Sequence, residues 1–245
     1  DGSFPARVAH SPPTSHTSIM ETLIHIWQTL VGSASTAVEQ GAQSMDMPAL
    51  MALAAVLGWA SGMRLYAVVF ITGLAGVMGW IPLPKGLLLL QHPAMLAGSG
   101  FMLFVEFFAD KIPGVDSLWD VVHSVIRVPA GAALAAGVFG ADSATMGVVA
   151  ALLGGSLAAT SFATKATTRV AVNSSPEPFS NIAVSLLEDG LVVGALWLAT
   201  NYPVAFGIAL VITLVLMIIL LITLFKFLKA LARRIGGWLS PAPAP

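Results

Sequence analysis

The fold this sequence predicts is an all-α, polytopic integral membrane helical bundle of about six spans, and three observations predict it. The 245 residues are 57% hydrophobic and only 9% charged, where soluble domains run nearer a quarter charged. Apolar runs of about twenty residues, the length a bilayer core requires, recur from Pro48 onward. The few charges inside those runs, beginning with Arg64, would each cost on the order of ~3 kcal/mol in hydrocarbon. A chain that keeps them must bury them against one another or against water.

The elements follow in order. Residues 1–18 are polar, with Pro5, Pro12 and Pro13, and read as a disordered segment lacking the apolar core of a signal peptide; Met20 is a candidate start. In residues 19–44, Ile19, Leu23, Ile26, Trp27 and Leu30 recur at helical spacing. That pattern suits an amphipathic helix at the membrane interface or, equally, one packed on the bundle. A membrane core over 48–200 and a last transmembrane helix over 201–227 come next, then a basic amphipathic tail and disordered end over 228–245. The spans fall at about 49–79, 93–110, 119–139, 144–170, 179–199 and 203–227. The first is too long for one straight crossing, and its Gly58, Ser61, Gly62 and Arg64 predict a broken or strongly tilted helix. The connector Ile81–Gln91 places Leu87 to Leu90 at the interface. Four or five spans with re-entrant hairpins is the alternative count.

Orientation follows from lysine and arginine. Lys226, Lys229, Arg233 and Arg234 follow the last span and predict a cytoplasmic C-terminus. Counting back, the turns at Lys111 and Lys165/Arg169 also fall inside, only Lys85 is outside, and both termini become cytoplasmic. Six spans divide into three plus three, so the halves would be inverted repeats, as in many transporters. Each half opens with a small-residue helix reaching a base (Arg64, Lys165). Each then passes a Pro-x-Pro loop and enters a helix with paired acids, Glu106/Asp110 and Glu188/Asp189.

The polar positions form stripes. Glu106 and Asp110 share a helix face. Asp116, Asp120, His123 and Arg127 recur at intervals of four, three and four, a single inward stripe on an otherwise Val/Ile/Ala span. Asp120–His123–Arg127 reads either as a proton relay or cation site, or as a salt-bridge network that only locks helices; Lys111 and Asp116 read as interfacial anchors. Lys165 and Arg169 lie four apart, and Asn181, Ser185 and Glu188 form another stripe with Asp189 beside it. Between Arg64 and Asp189, with Lys85 and Asp142 set aside, five bases face seven acids, leaving two carboxylates to be protonated or to hold a cation.

Several classes are excluded. Without cysteine there are no disulfides, thiolate metal sites or cysteine nucleophiles. A net charge of −1, with no basic groove, argues against nucleic acid. No HExxH, GxSxG or glycine-rich phosphate loop occurs, and one histidine with two aspartates is thin for a metal. No catalytic residue and no cofactor is predicted.

With these residues laid out, the chain resembles a bacterial membrane family known as domain of unknown function 4126. The resemblance covers about residues 50–200 and rests on SGMRLYAVVFITGL, LPKGLLLLQHPAML, FADKIPGVDSLWDVVHSVIRVPAGA and ATKATTRVAVNSSPEPFSN with its downstream SLLED. The family carries no established activity, so the resemblance implies a recurrent core and assigns no functional residue. The bacterial inner membrane is the expected location, and lipid the expected partner. Oligomerisation stays open. The expected function is transport of a small solute or ion, coupled through Glu106, Asp120, His123 and Glu188/Asp189, with Arg64, Arg127 and Lys165 as counter-charges. The rivals are a non-catalytic structural membrane protein and an intramembrane lipid-acting enzyme using Asp116, Asp120 and His123.

Overall fold

The computed structural model describes residues 21–22, 24–26, 28–29, 45–112, 115–140, 143–173 and 178–239. Among them every regular element is helical: α1 (Met47–Val77), a 3-10 segment (Lys85–Gln91), α2 (Pro93–Ala109), α3 (Val115–Phe139), α4 (Ala144–Asn173), α5 (Pro178–Asn201) and α6 (Pro203–Leu239). The described residues from Glu21 to Thr29 are helical as well, within the amphipathic segment. The segment 1–18, the end of the tail at 240–245, Glu177 and the side chain of Asp116 lie outside the described residues.

Local signals place the helix starts. Asp46 caps α1 by accepting from the Ala49 N–H at 3.0 Å, with Pro48 in the first turn. His92 caps α2 in the same way through Ala94, ahead of Pro93. Pro178 and Pro203 open α5 and α6 at the position where proline costs least. Five helices are long and apolar enough to cross a membrane, and six if the 3-10 segment and α2, bent by 67°, form one broken span. Outward faces are apolar: α6 presents Ile208, Val211, Val215 and Ile219 to its surroundings, so its solvent is lipid.

α1 is the most enclosed helix, and it breaks where the sequence predicts. Arg64 leaves helical geometry at φ −144 and ψ 71. The break does more than tilt the helix: it turns the chain back. Before it, the chain descends alongside α4 in parallel. Gly58 meets Gly154, Gly62 meets Ala158, and the Met63 carbonyl accepts from Lys165. After it, the chain climbs antiparallel to α2, with Phe70 against Gly100 and Gly73 against Leu96 and the Leu90 carbonyl. Trp59 and Ile71 therefore face the same stretch of α5, around Gly190 to Val193. In a straight helix they would be about 18 Å apart along the axis.

Both arms of α1 thus open toward the face that holds the α3–α4 connection. Gly86 of the 3-10 segment touches Gly137 near the end of α3, and Met51 shares a cavity wall with Phe139 and Met146. α5 and α6 fold back on each other about Tyr202, so Leu198 lies by Phe206 and Gly190 by Thr213. The end of α6 accordingly reaches the opposite face from Met47. The first apolar segment is the broken helix that the sequence predicts, and its reversal at Arg64 has the form of the re-entrant hairpins in the alternative count of four or five spans. The first arm of α1 thus runs parallel to α4 and the second arm, after the break, runs antiparallel to it.

Candidate functional site

The charges of four helices and the hairpin tip meet at one place. With α3 starting at Val115 and rising ~1.5 Å per residue, Asp120 and Arg127 stand about 8 and 18 Å from its first turn. Lys165 stands about 12 Å from the end of α4 by the same rise. The site therefore lies inside the bundle, nearer the face where α3 and α5 begin.

At its centre is Arg64, completely buried. Its Nη1 lies 2.6 Å from Asp110 Oδ2 and its Nη2 3.1 Å from Asp189 Oδ1. Nη2 also donates to the hydroxyl and carbonyl of Ser185, at 2.8 and 3.1 Å. Nε is 3.8 Å from Glu188. A guanidinium that cannot lose its proton predicts a carboxylate partner from another span, with Glu106 and Glu188 the first candidates. Asp110 and Asp189 are the nearer partners, and Glu106 is taken by another base.

That base is Arg127, whose two terminal nitrogens donate to Glu106 and Asp120, each at 2.6 Å. Lys165 ties the rest together. Its Nζ lies 3.1 Å from Asp110, 3.2 Å from Asp120 and 3.7 Å from Glu188. It also donates to the Met63 carbonyl at 3.1 Å. A helix break leaves preceding carbonyls without intrahelical partners, so Lys165 both caps the hairpin tip and neutralises its surroundings. Arg169 donates to Glu188 at 2.8 Å, to the Asn181 side chain and to the Asp110 carbonyl.

The charge balance is simple. Buried Arg64, Arg127, Lys165 and Arg169 give +4, and buried Glu106, Asp110, Asp120 and Glu188 give −4. At the edge, Lys111 and Asp189 add one of each, with Nζ to Oδ2 at 4.0 Å. Among the described side chains five bases meet five acids; Asp116 and Glu177, the other two acids of the sequence count, lie outside that set. A neutral network answers the desolvation problem, since removing one partner from such a pair costs about 3–5 kcal/mol.

His123 is buried on the expected face but stands apart from the ion pairs. Its Nδ1 lies 2.8 Å from the Trp119 carbonyl, and its ring stacks on Trp119 and meets the edge of Tyr66. Asp120 contacts Arg127 directly and Lys165 as a second base, the arrangement of the salt-bridge alternative for this stripe. A carbonyl oxygen can only accept, so Nδ1 is the donor in this bond. Among the described residues, no three histidine or carboxylate groups are placed to hold a metal ion.

Lys111, read in the sequence as an interfacial anchor, stands partly exposed at the edge of the ionic site. Its ammonium sits 3.1 Å from the centroid of the Phe107 ring. The available signal for this contact was Phe107 itself, four residues earlier on the same helical face.

The architecture defines an integral membrane helical bundle with a buried ionic site under a re-entrant hairpin. The family model described as domain of unknown function (DUF4126) matches residues 51–223, and the chain belongs to that family. The match includes α1 from Met51 onward, every charge of the ionic site and most of the apolar part of α6. No curated protein and no solved structure matches the chain.

Proposed function

We propose that this protein moves a small solute or ion across the membrane, with the ionic site at the hairpin tip as its switching element. The supporting observation is that the pairing is shared. Asp110 lies within 4 Å of Arg64, Lys165 and Arg169, and Glu188 faces the same three cations. A bridge that merely fastens two helices needs one partner on each side. Shared partners let a cation change acids without leaving a charge stranded in low dielectric. A broken helix with its tip inside the protein is also a form that irregular backbone takes at membrane depth.

We place the end of α6 in the cytoplasm of a bacterial inner membrane, on the strength of Lys226, Lys229, Arg233 and Arg234. The second reading, a structural protein, draws on the exact neutrality of the buried set and the apolar walls of the neighbouring cavities. Reconstitution separates the two. In liposomes carrying a panel of common cations, anions and a pH step, a transporter gives protein-dependent flux. Glu188→Gln, which keeps shape and removes one shared acid, should abolish that flux in a protein that still folds. No flux from the parent protein across the panel would sink the transport reading in favour of the structural one.

A further inference from the structure

Between the second arm of α1, α2 and α5 lies an open apolar cavity of about 450 Å³, with Phe104, Leu186 and Val193 exposed along its outer rim. Its walls are apolar and aromatic, including Ile71, Leu103, Phe104, Phe107 and Val193, and the one charged residue lining it is Asp189. Arg64 stands behind Asp189, fully enclosed, and offers the cavity nothing. Two of the lining residues, Asp189 and Phe107, meet the ammonium of Lys111, at 4.0 Å from Oδ2 and 3.1 Å from the ring centroid. Lys111 also donates to the Phe107 carbonyl at 3.0 Å and lies 3.5 Å from the Ser185 hydroxyl. A carboxylate beside an aromatic face is the chemistry that recognises an organic cation, and an apolar chamber behind it suits a hydrophobic body.

We propose that this cavity binds a lipophilic monocation, Asp189 and Phe107 taking its charged head in place of the Lys111 ammonium. The exchange conserves charge. Lys111 follows α2 at the end of the helix and its side chain is 19% exposed, so its ammonium can swing out toward water as the ligand's charge arrives. Asp189 keeps the Arg64 guanidinium on Oδ1 throughout, and the ligand's charge takes the place of Lys111 on the Oδ2 side. Lys111 is then a tethered competitor. The inference rests on the transport reading for what binding accomplishes, while binding itself is measured independently.

The probe is radiolabelled tetraphenylphosphonium, titrated against the purified full chain in detergent with thermal stability recorded for each variant. The expected result is saturable binding that Lys111→Met tightens and that Asp189→Asn and Phe107→Leu each weaken, the charge removal by about ten-fold. If Asp189→Asn does not fold, Phe107→Leu decides the matter, since it removes the ring and no charge. The proposal is overturned if neither the parent nor Lys111→Met binds saturably. It is equally overturned if Lys111→Met weakens binding, which would mark the site as one for anionic amphiphiles, or if neither Asp189→Asn nor Phe107→Leu changes the affinity. Binding without any flux in liposomes would defeat the transport reading alone. Flux of another solute without tetraphenylphosphonium binding would defeat this inference alone.

Discussion

The two ends of the hairpin's first arm are held by different physics. Around Gly58, three helices touch backbone to backbone: a Cβ added there would lie 2.5 Å from Gly154 Cα, and one added at Gly131 would lie 3.1 Å from the Gly58 carbonyl oxygen. Close packing of this kind has one solution, because dispersion contacts vanish with small displacements and overlap is forbidden. Six residues further on, at Arg64, the arm is held by charges with several acceptable partners each. The glycine contact is therefore suited to be a fixed point and the ionic tip a place where helices can rearrange. Small residues and charges are both depleted of bulk apolar side chain, yet one gives rigidity and the other exchangeability.

The largest expected effect tests the ionic end. Arg64→Leu leaves Asp110 and Asp189 short of a cation and should cost about 3–5 kcal/mol, read as a large drop in thermal stability of the detergent-solubilised protein. A near-silent Arg64→Leu would mean that the tip is not seated among those acids. The smaller effect tests the packed end by making one chemical change at two glycines. Gly58→Ala forces backbone apart and should cost about 1–3 kcal/mol. Gly190→Ala meets nothing within 4 Å and should stay near zero or gain up to ~1 kcal/mol from helix propensity. Equal responses at the two positions would remove the contrast.

Much of this was legible in the sequence, for identifiable reasons. Hydropathy located the six apolar helices because lipid demands length. The small residues at Gly58, Ser61 and Gly62 beside a charge marked the break, because close approach and a freed carbonyl both need them. The inward stripes also held: Asp120, His123 and Arg127 are all buried, as are Asn181, Ser185 and Glu188. What stayed hidden was relational. A stripe shows which face a residue occupies and not which helix answers it, so Arg64 found Asp110 and Asp189 before Glu188, and Arg127 claimed Glu106. The reversal at Arg64 was hidden for the same reason, since two arms of a hairpin and one long crossing have the same composition.

The central claim is that α1 enters and leaves the membrane on one face, bringing Arg64 down to the ion pairs. The chain has no cysteine, so single cysteines at Met47, Met78 and Lys229 can be labelled without background in sealed, oriented vesicles. Met47 and Met78 are exposed at the two ends of the hairpin. With a membrane-impermeant maleimide, both should react from the same side, and the cysteine at Lys229 only from the other. Labelling of Met47→Cys and Met78→Cys from opposite sides would contradict the hairpin, and with it the account of how Arg64 reaches its partners.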